Sequence, residues 1–197
     1  HADFVAVRLA EDGTLDSSFS IAGVARANFG NTFDFGGSSD FAHAVIQQAD
    51  GKLVLAGITA QIFSNSDIAL ARFNADGTLD STFGDSGRTT LHLGGNDEVR
   101  GLIQQPDGKL VMAGNTTAGG SYQQVLARFN ADGTLDGSFG TGGTTFVNLG
   151  PASGANGIAQ QPDGKLVTIG VAFGAAAGDI GIARVTDNGL LDASFDR

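Results

Sequence analysis

Cysteine is absent from the 197 residues, which removes disulfide staples, thiolate metal sites and a cysteine nucleophile at one stroke. It leaves the compartment open, because many secreted bacterial proteins also lack it. Tryptophan is absent and proline occurs three times, so the chain is neither collagen-like nor a Pro-rich linker. Cations are scarce: 11 Lys and Arg face 21 Asp and Glu, for a net charge of −10, and nowhere do they form a run. A duplex-binding protein needs clustered cations to displace counterions. No nucleic-acid partner is therefore expected, nor attraction to an anionic membrane surface. No apolar run approaches the ~20 residues needed to span a bilayer, so no membrane insertion is expected either. The chain opens His-Ala-Asp-Phe without an initiator Met, as a processed, excised or engineered piece does.

What is abundant is glycine, 31 residues or about twice the usual ~7%, in a chain that is 41% apolar and can bury a core. The glycines belong to a repeat. The segment Ala71 to Asp80 (ARFNADGTLD) returns unchanged at Ala127 to Asp136, and degraded at Val7 to Asp16 and at Ala183 to Asp192. A second element, Gln47 to Val54, recurs at Gln104 to Val111 and at Gln160 to Val167, in steps of 57 and 56, and alternates with the first, whose arginines step by 64, 56 and 56.

Each element reads as strand, turn, strand, because Asp-Gly between apolar β-formers is the strongest short-range hairpin cue. Gln123 to Phe129 is apolar on both faces, as in a strand covered by sheets above and below. No stretch keeps apolar residues at helical spacing without a Gly interrupting it. One period is thus four antiparallel strands, here termed a to d. Four-stranded sheets repeated about an axis make a β-propeller. A β-solenoid rung of ~20–30 residues would give a shorter period, and an immunoglobulin-like unit of ~100 residues a longer one.

The motifs QPDGKLV (Gln105 to Val111) and LARFNADGTLDxxFG (Leu70 to Gly84, again Leu126 to Gly140) resemble the delta-60 repeat. That resemblance covers Asp3 to about Phe195. It implies propeller-like repeats of bacterial origin and a secreted or cell-surface address, without implying a reaction. The expected fold is all-β, with four-stranded propeller-type blades and about three blades per chain. The chain forms one repeat domain: a partial repeat at 3–37, repeats at 38–95 and 96–150, and a partial repeat at 151–197. Thirteen strands are expected, with a strand c at each end, so no closed ring uses all of them. Exposed strand edges and apolar blade faces then invite self-association, as a ring of two chains or a head-to-tail filament, the third alternative being that the remaining blades belong to a longer parent chain.

Candidate sites are few. Asn74, Asp76, Thr78 and Asp80 alternate through a Gly-containing turn, as do Asn130, Asp132, Thr134 and Asp136, which is how calcium loops begin. The bidentate acid such a loop needs is Asp85 in one repeat but Thr141 in the other. The simpler expectation is that these residues satisfy turn amides, with Asp80 capping the next turn or pairing with Arg72. Calcium stays open, and no other cofactor is expected. Arg8, Arg72, Arg128 and Arg184 recur once per repeat and are expected to pair with the repeated Asp. Lys52, Lys109 and Lys165 follow Asp-Gly and are expected to be solvated turn residues. One strand-a position differs between repeats, as His43, Arg100 and Asn156. An innermost strand lines a propeller's channel, so these three are the candidates for binding a carbohydrate or peptide. No catalytic set is recognised: His43 and His92 lie in non-equivalent strands, and Glu occurs only at 11 and 98. The sequence points first to a non-catalytic scaffold that assembles with itself or with a protein, second to a ligand-binding propeller, and third to a propeller hydrolase.

Overall fold

A computed structural model describes residues 2–30, 38–61, 64–174 and 178–195. The end of the first partial repeat and the middle of the Phe173 to Gly178 connection lie outside these residues. The described chain is all-β. In order come β1 (Phe4–Val7), β2 (Val24–Ala27), β3 (Ser38–Gln47), β4 (Leu53–Gln61), β5 (Ser66–Phe73), β6 (Arg88–Leu91), β7 (Asp97–Gln104) and β8 (Leu110–Thr116). A single 3-10 turn at Ala118–Gly120 follows, then β9 (Gln123–Phe129), β10 (Thr144–Val147), β11 (Ala152–Gln160), β12 (Leu166–Phe173) and β13 (Gly178–Val185).

Among the described residues the ladders between these strands are all antiparallel and join sequence neighbours, and an isolated parallel bridge links Ala2 to Ser39. The sheets are β1-β2, β3-β4-β5-β6, β7-β8-β9-β10 and β11-β12-β13. The tight turns after β3, β7 and β11 use the Asp-Gly pairs directly. Gly51, Gly108 and Gly164 take φ of 84°, 86° and 86°, the left-handed region that costs a side chain energy. The preceding Asp50, Asp107 and Asp163 each accept the backbone N–H two residues on.

Three cores lie between consecutive sheets. Phe4, Phe19 and Ala25 of the first pack on Leu55, Ala71 and Phe73 of the second. Val54, Ile68 and Leu70 meet Val99, Met112 and Val125 of the third. Val111, Ala113 and Leu126 meet Ala155, Leu166 and Val185 of the fourth. β9 is buried on both faces from Gln124 to Phe129. Its alanine and its partners' let sheets approach closely. Buried acids at the start of strand a reinforce the stacking. Asp40 accepts from Phe29 N–H (2.9 Å), just past β2, and Asp97 from Leu93 N–H (3.2 Å), just past β6. Each also takes a hydroxyl bond, from Thr59 (2.7 Å) and Thr116 (2.6 Å). Burial pushes the Asp97 carboxyl above the ordinary range, against the pull of the Thr116 bond.

Candidate functional site

His43, Arg100 and Asn156 share a feature that strand alternation does not reveal: each is the extra residue of a β-bulge. Ala42 pairs Gly57 and Ala44 pairs Ala56, with His43 unpaired between them. Arg100 is skipped between the Val99–Gly114 and Gly101–Ala113 pairs, and Asn156 between Ala155–Gly170 and Gly157–Ile169. The bulge explains the glycine in every strand b. A Cβ on Gly57, Gly114 or Gly170 would run into the carbonyl oxygen of Phe41, Glu98 or Gly154 respectively. A bulged residue is thrown outward, and all three side chains are exposed. The fold gives them one register position but no contact with one another among the described residues.

Around Arg100 the third sheet departs from its neighbours. Glu98 Oε2 accepts from Arg100 Nη2 (2.8 Å), Asn115 Nδ2 (3.2 Å) and Tyr122 OH (3.1 Å). Asn115 Oδ1 accepts the Ala155 N–H of the next sheet at 2.6 Å. The paired positions Glu98 and Asn115 are Phe41 and Ile58 in the second sheet, Gly154 and Val171 in the fourth. Burial pushes the Glu98 carboxyl up, but the bonds from Asn115, Arg100 and Tyr122 outweigh it and hold the acid below its ordinary range. The Tyr122 phenol is pushed up, first by burial and then by the Glu98 charge. The cluster therefore offers an ionised carboxylate, a guanidinium and a phenol at an accessible edge, chemistry suited to holding a polar ligand. Sequence reasoning found Arg100 and missed the rest. The available signal was that Tyr122 is the only tyrosine and Glu98 one of two glutamates.

The repeated arginines do pair with the repeated aspartates. Arg72 Nε meets Asp80 Oδ2 at 2.7 Å, Arg128 meets Asp136 at 2.7 Å, Arg8 meets Asp16 at 2.7 Å and Arg184 meets Asp192 at 2.9 Å. Each guanidinium also stacks 4.6 Å from a Phe ring: Phe83 for Arg72, Phe139 for Arg128, Phe19 for Arg8 and Phe195 for Arg184. The lysines need correcting. Lys52, Lys109 and Lys165 are not simply solvated: they reach Asp80, Asp136 and Asp192 at 2.9, 3.0 and 3.1 Å. A carboxylate shielded from water by its sheet is thus held by two cations. Thr82 or Ser138 takes its other oxygen at 2.6 Å. Burial opposes ionisation of Asp80 and Asp136, yet the hydroxyl bonds and the two cations hold both far below the ordinary carboxylate range.

The calcium candidates are occupied with local bonds. Asp76 Oδ1 accepts the Thr78 N–H (2.9 Å) and hydroxyl (2.7 Å), and Asp132 does the same for Thr134 (3.0 and 2.6 Å). Asn74 and Asn130 donate to those threonine hydroxyls at 3.0 Å. Among the described residues no three His, Asp or Glu side chains converge as a metal site would require. His92 lies just beyond β6, with Nδ1 2.5 Å from Asp67 Oδ1, which raises its pKa. An open hollow of about 510 Å³ is lined by Gln48, Asp50, Gln104, Gln105, Pro106 and Gln160, where the ends of β3, β7 and β11 gather. The Gln105 Oε1 is buried beside it, with no hydrogen-bond partner among the described residues.

No curated protein matches the chain. A family profile does, over residues 2–19, 48–83, 105–139 and 161–195, segments that carry all four Arg–Asp pairs and the Asp-Gly turns. With more than half its length matched, the chain belongs to the DUF5122 beta-propeller family, a domain family of unknown function.

Proposed function

We propose that the chain is a non-catalytic β-propeller scaffold that acts outside the cytoplasm by associating with proteins, itself included. On this reading the sheets are blades: two complete, with a two-stranded part at one end and a three-stranded part at the other, about three in all. The observation that carries it is how the repeated polar groups are used. Arg72, Asp80 and Lys52 and their counterparts are spent on one another and on the neighbouring sheet. What recurs is joinery, whereas an enzyme needs its repeats to diverge around one centre. The secreted or cell-surface address rests on the delta-60 resemblance of the repeat motifs.

A second reading has its own observation, the non-repeating Glu98, Arg100, Asn115 and Tyr122 cluster, which would recognise a carbohydrate or a peptide. A glycan array and a hydrolase panel test both. Silence in each supports the scaffold. Selective binding abolished by Arg100→Ala replaces it with recognition, and turnover that survives repurification makes the protein a hydrolase.

A further inference from the structure

The four sheets are joined by one device used three times, always in the same direction. Arg8 Nη1 donates to the Ala75 carbonyl (2.7 Å), Arg72 Nη1 to Ala131 (2.5 Å) and Arg128 Nη1 to Asp187 (2.6 Å). Each acceptor is the second residue of the four-residue turn after strand c of the next sheet. The glycine closing that turn lies under the preceding sheet's phenylalanine. A Cβ on Gly77 would strike the Phe19 ring at 2.9 Å, one on Gly133 the Phe83 ring at 2.8 Å and one on Gly189 the Phe139 ring at 3.0 Å. The backbone adds a bond beside it, from Ser20 to Asp76 (2.6 Å), Gly84 to Asp132 (2.7 Å) and Gly140 to Asn188 (2.8 Å).

Both halves of a fourth joint stand open. The fourth sheet carries Arg184 stacked on Phe195, in the geometry of the other three, yet Phe195 is 37% exposed where Phe19, Phe83 and Phe139 are at most 1%. No acceptor for Arg184 Nη1 is found among the described residues. At the other end the first sheet carries the matching turn, Ala10-Glu11-Asp12-Gly13. Gly13 has φ of 83°, like its counterparts, but among the described residues nothing lies within 4 Å of where a Cβ would be. The remaining surface agrees. Of fifteen large apolar side chains exposed among the described residues, twelve lie on the first and last sheets and their turns, with Leu9 and Ile21 at one end and Ile180 and Leu190 at the other.

We propose that a second copy of this chain docks head to tail, its Glu11–Gly13 turn under Phe195 and its Glu11 carbonyl accepting from Arg184 Nη1. This deepens the scaffold reading and rests on it. The contact is heterologous, so two copies close a pair if the rotation allows and otherwise grow a chain. Occupancy by a copy is favoured because the three internal joints are the same surfaces already in contact.

Light scattering on the purified chain tests the proposal with two variants. Phe195→Ala empties the tail and Gly13→Asn, tolerated at this φ, blocks the head with a side chain. The wild-type chain should show at least a twofold mass at tens of micromolar, and each variant alone a single-chain mass with an unchanged far-UV spectrum. An equimolar mixture of the two restores one intact tail on Gly13→Asn chains and one intact head on Phe195→Ala chains, and should give twofold mass and no more. A wild-type monomer overturns the joint but not the scaffold reading, which the ligand and turnover screens decide. Association that persists in either variant, or a mixture that stays monomeric, also overturns it.

Discussion

Replacing Gly114 with alanine sets two physical arguments against each other. Gly114 lies outside the left-handed region, so Ala should fit its dihedral angles and stabilise by about 0.4–1 kcal/mol through a less flexible unfolded chain. The Arg100 bulge reverses the sign. The Glu98 carbonyl oxygen occupies the space the methyl group needs, and both atoms belong to ladder backbone that no side-chain rotation can move. Relief requires β7 to draw away from β8 around the Glu98–Asn115 and Val99–Gly114 pairs. Losing two or three ladder bonds at ~0.5–1.5 kcal/mol each, with ~1 kcal/mol of packing strain, outweighs the gain. The net expectation is a loss of about 3 kcal/mol, or roughly 6–12 °C in melting temperature for a chain this size.

The control is Gly137→Ala, at an exposed turn position with open space and no left-handed φ, which should be neutral or stabilising by up to ~1 kcal/mol. Urea unfolding followed by circular dichroism measures both. Tyr122, the only tyrosine, touches Glu98 next to the bulge, so near-ultraviolet dichroism reports the distortion directly. A Gly114→Ala chain as stable as Gly137→Ala, with the tyrosine signal unchanged, would refute the steric argument.

Two further outcomes follow from the same geometry. Asp136 is held below its ordinary 3.8 in the fold, so its contribution is present above that pH and is lost as pH falls through the depressed folded value. Asp136→Asn should therefore cost roughly 2–3 kcal/mol at neutral pH, with the gap to wild type narrowing below pH 3.8; a gap that does not change with pH contradicts the assignment. Asp97 runs the other way, its raised carboxyl adding stability only at low pH and losing it as pH rises, but it is common to both chains and cancels from the gap. For calcium, melting in chelator and in millimolar calcium should agree within error, because Asp80 and Asp136 already bind Arg and Lys. A rise with calcium would assign the Asn74–Asp80 and Asn130–Asp136 turns to metal by mass action.

The strands were legible because their determinants are local. Asp107-Gly108 makes a hairpin turn whatever surrounds it, and the same motif marks each copy although the first arginine lies 64 residues before the second and the later ones are 56 apart. The Arg72–Asp80 pair was legible for the same reason, its partners eight residues apart across one turn. Lys52 was misread because its partner lies 28 residues away on another strand turn, a separation no local rule spans. The bulges were hidden differently. A one-residue register skip changes no composition, and its trace is a glycine inside a strand, at 57, 114 and 170, that turn chemistry does not explain. Read as a close backbone approach, that glycine would have marked His43, Arg100 and Asn156 as bulged.

Repetition also explains why the fold is easier to read than the function. A polar residue present in every repeat meets the same neighbours in every repeat, so its role must be one that a sheet needs from the next sheet. Arg8, Arg72 and Arg128 obey this, each reaching forward to a carbonyl and none backward. The joints thus give the stack a direction: guanidinium and ring are offered at one end, carbonyl and glycine at the other. Ligand recognition needs the opposite property, a position where one sheet differs from its neighbours. Among the described residues the Glu98, Arg100, Asn115 and Tyr122 cluster has it, with apolar or small residues at the Glu98 and Asn115 positions on both sides. The proposed association and a proposed recognition would therefore draw on separate residues, so that substitutions at Phe195 and at Arg100 can be read independently.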